Sequence, residues 1–411
     1  MSKTNTQVLP PRWRLTTLGE CAEFINGRAY SQHELLDAGT PVLRIQNLSG
    51  GDKWYYSNLT LPQEKYCEEG DLLYAWSASF GPYIWTGPRS IFHYHIWRVV
   101  PRACLDKSFA FHLLAHLTRD LKSSARGIAM LHLTKSGMEA TKIAIPPLDE
   151  QRRIAAILDQ ADDLRRKRRE ALGRVAALNA AQFEAMFGNP ISNPRGWTRT
   201  AFGDIIEEIA SGWSPVCLDR PASDGEWGVL KLSAVTPCEY DEGEQKALPS
   251  NTPPKPEIEI RPGDLLFTRK NTRDLVAACA LVSQTRQKLM FSDLIYRIRL
   301  FSDAPIESAF IHALLTHPMK RKMIQTLAGG SAGSMPNISK EKLRSVEIEL
   351  PPLSLQRAFA ARVAEIDKLK AHHRAHLARL DALFASLQHR AFRGDLSAPS
   401  FSRAREKAAA P

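Results

Sequence analysis

A proline-led segment near the middle of the chain recurs near its end, and this repeat limits the possible folds more than any other feature. The first copy opens with Pro146-Pro147-Leu148-Asp149-Glu150-Gln151-Arg152, and the second opens with Pro351-Pro352-Leu353-Ser354-Leu355-Gln356-Arg357. Two prolines are excluded from a helix interior but can precede one, so Asp149 and Ser354 are expected to cap two helices. Each helix would span about forty residues, or roughly 60 Å at about 1.5 Å per residue.

Apolar side chains recur at steps of three and four along both segments, as in a heptad seam. In the first helix these residues are Ile154, Ile157, Ala161, Leu164, Ala171, Val175 and Leu178. In the second helix they are Phe359, Val363, Ile366, Leu369, Leu380 and Leu387. The two helices end at Gly188-Asn189-Pro190 and at Gly394. Ordinary globular helices are shorter than this, so each copy is expected to be the partner helix of the other.

The repeat extends to the globular segments that precede the helices. Equivalent positions in the two helices are separated by a constant 205 residues (351 − 146 = 205). The matching residues Trp13 and Trp197 are separated by fewer residues (197 − 13 = 184). An intermediate offset (263 − 70 = 193) separates two further matching segments, Gly70-Asp71-Leu72-Leu73-Tyr74 and Gly263-Asp264-Leu265-Leu266-Phe267. Loops absorb insertions, whereas a packed helical seam would lose its register. We therefore interpret the chain as two copies of one unit, a variable globular domain followed by a helix of fixed length.

The first globular segment is expected to be an α+β domain. Strands are predicted within 41–45, 70–76, 93–100 and 142–145, and a helix is predicted over 109–121. A chain of 411 residues suits two to three domains, and a hydrophobic content of 44% is sufficient for packed cores.

The charge balance favours a polyanion as binding partner. Lys and Arg number 55 against 44 Asp and Glu, a formal net charge of +11, and such a surplus suits nucleic acid, with ordinary surface charge as the alternative. The six cysteines form no C-x-x-C pair, which argues against a zinc site and fits a reducing cytoplasm. The longest apolar run, 275–282, is too short to cross a membrane.

The order of globular domain, P-P-L-x-x-Q-R helix, globular domain and P-P-L-x-x-Q-R helix resembles the specificity subunit of type I restriction-modification systems. The two G-D-L-L segments are also similar to motifs of that family's target-recognition domains, as are Leu131-His132-Leu133-Thr134-Lys135 and Gly333-Ser334-Met335-Pro336-Asn337-Ile338. The resemblance covers roughly residues 13–395. It implies a non-catalytic subunit without a cofactor, whose two target-recognition domains each recognise one half of a split double-stranded DNA site. The two long helices would form an antiparallel coiled coil that spaces these domains.

The resemblance also implies partners and a division of the chain. Two modification subunits would methylate adenine with S-adenosylmethionine, and restriction subunits would use ATP and Mg for translocation and cleavage. The implied segments are a disordered N-terminus (1–12), target-recognition domain 1 (13–145), a central helix (146–190), target-recognition domain 2 (191–350), a C-terminal helix (351–395) and a disordered tail (396–411).

Candidate DNA-binding residues are side chains that follow predicted strands or occupy matched positions in the two copies. In the major groove Arg and Lys pair with guanine, and Asn and Gln pair with adenine. Solvated loop residues are the alternative interpretation, and Trp76 also suits a protein core. The candidates in the first domain are Arg44, Gln46, Asn47, Trp76, Ser77, His93, His95 and Lys135. Those in the second are Lys231, Ser233, Arg269, Lys270, Asn271, Thr272, Arg273, Asn337 and Lys340. Lys135 and Lys340 are expected to hold phosphates, which orient a protein without conferring sequence choice.

Two further functions are compatible with the sequence. One is the DNA-recognition subunit of a type II-like system with a fused modification and cleavage partner, and the other is a coiled-coil adaptor that binds proteins. Catalysis is not expected, because the N-P-P-aromatic and D-P-P-Y motifs of amino-methyltransferases are missing. The Gly-rich segment 329–334 lacks the lysine of a P-loop, and we interpret it as a loop near DNA. Arg168 and His373 occupy matched seam positions, either as a polar layer that fixes helix register or as side chains that extend to water.

Overall fold

The computed structural model describes residues 10, 12–124, 134–330 and 335–396, without the side chains of 120–124. Residues 131–133 and 331–334, which belong to two of the motifs above, lie outside the described residues. So do nearly all of the two termini for which disorder is expected. No helix in the described part of the chain is both long and apolar enough to cross a membrane. All six cysteines are free thiols.

The chain divides into two compact units, each built from one globular segment and parts of two long helices. Unit 1 comprises Met1–Arg169 and Ala375–Pro411, and unit 2 comprises Glu170–Arg374. The helices pass from one unit to the other after Arg169 and after Arg374, which are separated by the offset of the helical repeat (374 − 169 = 205). The division therefore falls at equivalent positions in the two copies.

Unit 1 folds as small sheets and short helices that precede the first long helix. Its strands are β1 (Arg14–Thr17), β2 (Ala22–Asn26), β3 (Thr40–Leu43), β4 (Tyr55–Ser57), β5 (Tyr66–Cys67), β6 (Leu72–Ala75), β7 (Gly81–Ile84), β8 (Ser90–Phe92), β9 (Ile96–Pro101) and β10 (Lys142–Ile145). Its helices are α1 (Leu18–Cys21), α2 (Ile45–Leu48), α3 (Lys107–Ser124) and α4 (Lys135–Glu139). The first long helix, α5 (Leu148–Phe187), begins in unit 1 and continues into unit 2.

Two local predictions for unit 1 are wrong. The strand expected over 41–45 ends at Leu43, because the side chain of Asn47 accepts the backbone N–H of Arg44 at 3.0 Å and starts helix α2. The strand expected over 93–100 begins only at Ile96, whose N–H closes a turn onto the carbonyl of His93 at 2.9 Å. His93 and His95 therefore lie in a loop rather than on one face of a strand.

Unit 2 repeats this arrangement. Its strands are β11 (Thr198–Ala201), β12 (Ile206–Ser211), β13 (Gly228–Leu230), β14 (Gln245–Ala247), β15 (Leu265–Thr268), β16 (Cys279–Leu281), β17 (Leu289–Phe291), β18 (Ile295–Leu300) and β19 (Glu347–Leu350). Its helices are α6 (Ser308–Thr316), α7 (Pro318–Thr326) and α8 (Lys340–Arg344). The second long helix, α9 (Leu353–Arg393), begins in unit 2 and continues into unit 1.

The sheets of the two units have matching topology. Strand order β2-β9-β6-β7 in unit 1 corresponds to β12-β18-β15-β16 in unit 2, and β4-β3-β8 corresponds to β14-β13-β17. The pair β1–β10 likewise corresponds to β11–β19. Even the parallel pairing of β3 with β8 has its counterpart in β13 with β17. These pairings confirm the predicted α+β class and extend the helical repeat to the globular segments.

The ends of the long helices lie in the hydrophobic cores of the units. The core of unit 1 joins Trp97 and Phe109 to Ile154 of α5 and Ala391 of α9. The largest core cluster of unit 2 includes the side chains of Phe183, Phe187, Phe202, Phe310 and Phe359. Ile154 and Phe359 are equivalent in the repeat and both are fully buried. Burial of one such side chain stabilises a fold by about 1.5–3 kcal/mol, so each helix end is firmly anchored.

The glutamine of each P-P-L-x-x-Q-R motif attaches a helix to its globular segment. Gln151 donates to the carbonyls of Cys104 at 2.9 Å and Pro146 at 2.8 Å, and its oxygen accepts the N–H of Asp106 at 2.8 Å. Both this glutamine and its repeat equivalent, Gln356, are fully buried. The motif thus has a structural explanation, because its side-chain amide pairs backbone groups that would otherwise be left unpaired beside the helix start.

Gln356 makes the same three hydrogen bonds in unit 2. It donates to the carbonyls of Pro305 at 3.1 Å and Pro351 at 2.8 Å, and it accepts the N–H of Glu307 at 2.9 Å. The expected caps Asp149 and Ser354 are wrong, because both helices begin one residue before these positions. The carbonyls of the second prolines, Pro147 and Pro352, already accept the first helical hydrogen bonds.

Within each unit the two long helices run antiparallel to each other. In unit 1 the guanidinium of Arg165 on α5 donates to Asp381 on α9 at 2.6 Å and lies 4.2 Å from the ring centroid of Phe384. In unit 2 the rings of Phe187 and Phe359 meet edge to face at 5.3 Å. The early part of α5 thus pairs with the late part of α9 in unit 1, and the reverse holds in unit 2. The coiled coil along the whole length stays a prediction.

Only part of the predicted seam is buried. Ile154, Ala161, Val175 and Phe359 are buried as expected. The prediction is wrong for Leu164, Leu178 and Leu369, which are exposed by 47%, 47% and 42%, and it omitted Leu158, which is fully buried. The reason in unit 1 is that Arg165, not Leu164, points to α9 and places its guanidinium over an aromatic ring beside a carboxylate.

Matched pairs of cations bind one carboxylate in each unit. In unit 1 Arg165 and Arg169 both contact Asp381, at 2.6 and 3.0 Å. The repeat-equivalent residues of α9, Lys370 and Arg374, both contact Glu239 of unit 2. The helix cations are conserved in the repeat, but the carboxylate comes from the partner helix in one unit and from the globular segment in the other.

Candidate nucleic-acid interface

Three loops of unit 1 form an open cleft at one end of its sheets. Residues Arg44–Gln46 follow β3, residues Ser77–Ser79 connect β6 to β7, and His93–His95 connect β8 to β9. Their side chains line a volume of about 460 Å³. Five of the predicted site residues, distant in sequence, are thereby brought together: Arg44, Gln46, Ser77, His93 and His95.

A glycine after β2 fixes the position of the histidine loop. The N–H of Arg28 bonds to the carbonyl of Phe92 at 3.1 Å, so the backbone at Gly27 passes directly against this loop. A Cβ atom at Gly27 would lie 2.2 Å from the carbonyl oxygen of His93, closer than any side chain permits. Unit 2 repeats the contact, because a Cβ at Gly212 would lie 2.2 Å from the carbonyl oxygen of Phe291.

The two histidines of the cleft are held in the neutral form. Burial lowers the pKa of His93 to about 4, with further contributions from His95 and Arg44. Burial and the Arg44 charge also lower the pKa of His95. A neutral imidazole carries one hydrogen-bond donor and one acceptor, so both rings suit the mixed polar edge of a base better than the uniform negative charge of a phosphate.

Arg44 and Gln46 present hydrogen-bonding groups to the cleft. The guanidinium of Arg44 lies 5.2 Å from the ring centroid of Tyr55, and no described carboxylate lies within ion-pair distance of it. The amide nitrogen of Gln46 donates to the carbonyl of Lys53 at 2.9 Å, which orients its oxygen as an acceptor. The neighbouring candidate Asn47 is buried, and its side chain caps α2 and bonds to Lys53, so a structural role accounts for it fully.

Trp76 supports the cleft rather than lining it. Its indole N–H donates to the carbonyl of Tyr94 at 2.8 Å, and its ring packs edge to face on His95 at 5.0 Å and stacks on Trp97 at 6.0 Å. Trp97 and Trp85 are buried core residues. The tryptophan therefore holds the histidine loop in place, whereas the adjacent Ser77 lines the cleft itself.

The corresponding residues of unit 2 are paired with a carboxylate. Lys231 begins the turn after β13, and its ammonium group lies 2.8 Å from Glu244. The hydroxyl of Ser233 donates to the same carboxylate. Hydrogen bonds from Lys231 and then Ser233 lower the pKa of Glu244. Unit 2 thus presents a lysine paired with a carboxylate where unit 1 presents Arg44 without a carboxylate partner among the described residues.

The basic segment 269–273 of unit 2 is partly used for internal contacts. Arg269 donates to the side-chain oxygen of Asn337 at 3.1 Å and lies 5.1 Å from the ring centroid of Tyr296. An isolated backbone bridge joins Lys270 to the same asparagine. Asn271 is buried, and its side chain forms the local turn, so it resembles Asn47 in being structural. In this segment Thr272 and Arg273 are exposed.

The two lysines at matched positions have different surroundings. Lys135 begins helix α4 and forms an ion pair of 3.6 Å with Glu139 on the same helix. Lys340 begins helix α8, donates to the carbonyl of Ile209 at 2.7 Å and lies 5.8 Å from the ring centroid of Tyr296. A common phosphate-binding role for the two lysines stays a prediction.

Sequence reasoning missed the loop of unit 2 that corresponds to the histidine loop. Residues 292–294 connect β17 to β18 and occupy the position of His93–His95 between β8 and β9. The exposed carboxylate of Asp293 at its tip accepts a hydrogen bond from Ser214. The signal was present in the sequence, because a phenylalanine and an isoleucine four residues later frame both loops (Phe92 and Ile96, Phe291 and Ile295).

The first part of the chain matches the model of a known family. Residues 10–174 match the family model described as the type I restriction modification DNA specificity domain. The chain is 38% identical to the type I restriction enzyme EcoEI specificity subunit of Escherichia coli over 181 residues, 44% of this chain and 30% of that protein. It is 25% identical to the EcoKI specificity subunit of E. coli K12 over 95% of this chain and 90% of that protein. The match to the EcoEI subunit therefore spans less than a third of that protein.

Solved structures share the fold over nearly the whole chain. A chain from a structure on complex assembly and conformational transition of the type I R-M system covers 95% of this chain and 100% of its own length, with a TM-score of 0.51 and 21% identity. The type I restriction-modification S subunit from M. genitalium covers 95% of this chain and 98% of its own length, with a TM-score of 0.52 and 11% identity. At these identities the matches show a common fold, which agrees with the duplicated topology of the two units.

Proposed function

We propose that this chain is the DNA sequence-specificity subunit of a type I restriction-modification complex and that each unit binds one half of a split duplex site. The observation that carries the proposal is the duplicated topology, which places polar loops at the same end of equivalent sheets in both units. A protein with two equivalent readers suits a site with two half-sites, because half-site spacing mirrors protein geometry. The net charge of +11 supports binding to a polyanion.

The two units are proposed as target-recognition domains, with the long helices as an antiparallel coiled-coil spacer between half-sites. The loops at the sheet ends carry different chemistry. Unit 1 has a single cation with two histidines, whereas unit 2 has the Lys231–Glu244 ion pair and the exposed carboxylate of Asp293. Since cations prefer guanine and carboxylates accept the cytosine amino group, the two half-sites are expected to differ in sequence.

Modification and restriction subunits are proposed as the partners that supply all chemistry, with S-adenosylmethionine, ATP and Mg bound by them in the cytoplasm. The helices offer equivalent apolar contacts for two copies of one partner. Leu164 and Leu369 are related by the repeat, as are Leu178 and Leu383 (383 − 178 = 205). All four are exposed by 42–49%, so each unit carries one exposed leucine on α5 and one on α9.

Salt dependence of duplex binding tests this proposal. A protein that neutralises phosphates should give a negative log–log slope of about 0.9 per phosphate contact. We expect a steep slope on duplex DNA and no binding of S-adenosylmethionine by the isolated chain. A flat slope would instead favour the protein-binding adaptor, which the comparisons do not favour, and S-adenosylmethionine binding would contradict the division of roles between subunits.

A further inference from the structure

The cleft of unit 1 has a composition that selects a ligand. Nine residues line it, and Arg44 is the one among them that belongs to the charged types Lys, Arg, Asp and Glu. The others are three serines, two histidines, a glutamine, an alanine and an isoleucine. A phosphate site contains several cations or backbone N–H groups. A base edge is instead bound by one guanidinium with two parallel N–H donors, surrounded by neutral donors and acceptors.

Tyr55 restrains the orientation of the Arg44 guanidinium. The guanidinium lies 5.2 Å from the ring centroid of Tyr55 on strand β4, which pairs directly with β3. Attraction to the ring restrains the guanidinium, and side-chain hydrogen bonds from Lys53 and also from Arg44 lower the pKa of the Tyr55 hydroxyl. Because no carboxylate in the described part of the chain forms an ion pair with Arg44, the N–H donors that do not contact Tyr55 remain available to a ligand with two adjacent acceptors.

The groups around Arg44 supply the opposite polarity. Gln46 donates one amide N–H to the carbonyl of Lys53 at 2.9 Å, and its side-chain oxygen can accept a hydrogen bond. His93 and His95 line the same cleft. Guanine presents two neighbouring acceptors, O6 and N7, in the major groove, and the adenine and cytosine amino groups present donors there. The arrangement therefore fits a guanine together with an adjacent amino group.

We infer that Arg44 is a specificity-determining residue that reads a guanine in the half-site of unit 1, with Gln46 accepting an amino group from a neighbouring base pair. This inference rests on the proposed function and assigns the chemistry of one reader. Arg89 provides a matched control, because its guanidinium also stacks on a tyrosine, 3.9 Å from the ring centroid of Tyr66, but it does not line the cleft.

The test is base selection from a randomised duplex library by the full-length chain, purified from cells that also supply its natural partner subunits. Wild type should select two blocks separated by unselected bases, with a G·C pair in the block read by unit 1. Arg44→Gln should lower the preference for that guanine by about fivefold to 150-fold and leave the other block unchanged. Arg89→Gln should keep both blocks. The unchanged second block in the Arg44→Gln selection demonstrates that the variant is folded and binds.

The outcomes separate this inference from the proposed function. No selected split sequence with wild type would contradict the proposed function itself. A split sequence in which neither block contains a G·C pair would overturn the guanine assignment alone. So would an Arg44→Gln variant that weakens binding equally for all sequences, since that result defines a phosphate contact. Unchanged selection by Arg44→Gln would overturn it as well.

Discussion

Replacing Gln356 by leucine tests whether the repeated motif attaches a helix to its globular segment. The substitution keeps the buried volume similar but removes three hydrogen bonds, of which the one to the carbonyl of Pro351 is buried and the one from the N–H of Glu307 is partly buried. Each buried polar group left unpaired costs about 1–3 kcal/mol. Because the third acceptor, Pro305, is exposed to water, we expect a total loss of about 2–3 kcal/mol.

Hydrogen exchange resolved along the chain measures this loss in the unit where it occurs. A loss of about 2–3 kcal/mol corresponds to roughly 30-fold to 150-fold faster exchange in the segments that open with the start of α9. Gln151→Leu should produce the same acceleration in unit 1, and Gln160→Leu, on the exposed face of α5, should change neither unit. A change below about threefold in unit 2, or equal changes in both units from one substitution, would refute the reasoning.

Further predictions concern charge, register and modularity. Since the folded pKa of His93 is lowered to about 4, its contribution to stability should be complete above about pH 6.5 and lost as the pH falls towards 4. An NMR titration of the ring should therefore have its midpoint near 4, and a midpoint near 6.5 would contradict the burial argument. Glu239→Gln should destabilise unit 2 by about 1–2 kcal/mol, because it leaves the mostly buried Lys370 without its nearest carboxylate. The matched change Asp219→Asn removes an exposed partner of Lys246 and should leave stability unchanged; equal losses by hydrogen exchange would exclude a special role for Glu239. Inserting four residues after Ala176 in α5 should change the tolerated spacer or abolish assembly while keeping both half-site sequences, and altered half-site bases would contradict the spacer role. Exchanging residues 195–350 for the segment of another system should replace one half-site, and a change in both would contradict independent readers.

The long-range organisation could be predicted from the sequence because it depends on rules that act locally. Prolines before each long helix and a glycine after it indicated where both helices begin and end. The constant offset of 205 residues (351 − 146) identified the repeat. The seam was harder to predict. The heptad pattern predicted that Leu164 would face the partner helix. Arg165 faces it instead, because its guanidinium contacts the ring of Phe384 and the carboxylate of Asp381 together.

The site could be predicted only in part because side-chain pairing depends on tertiary structure. Candidates that follow β3 and candidates in the histidine loop line one cleft, although the sequence did not indicate that the two groups would be neighbours. Asn47 was chosen for its base-reading chemistry, yet its amide is used to start a helix. The ion pair of Lys231 with Glu244 joins residues on either side of a loop, and no local pattern indicated it.

Sequencing of methylated bases in host DNA, with and without this chain, tests the central claim most directly. The claim is that two duplicated readers in one polypeptide select a split site while partner subunits perform the chemistry. We predict that removing the chain abolishes methylation at one motif made of two short, different blocks separated by a spacer of fixed length. An unchanged methylation pattern, or the loss of a single uninterrupted motif, would contradict the account.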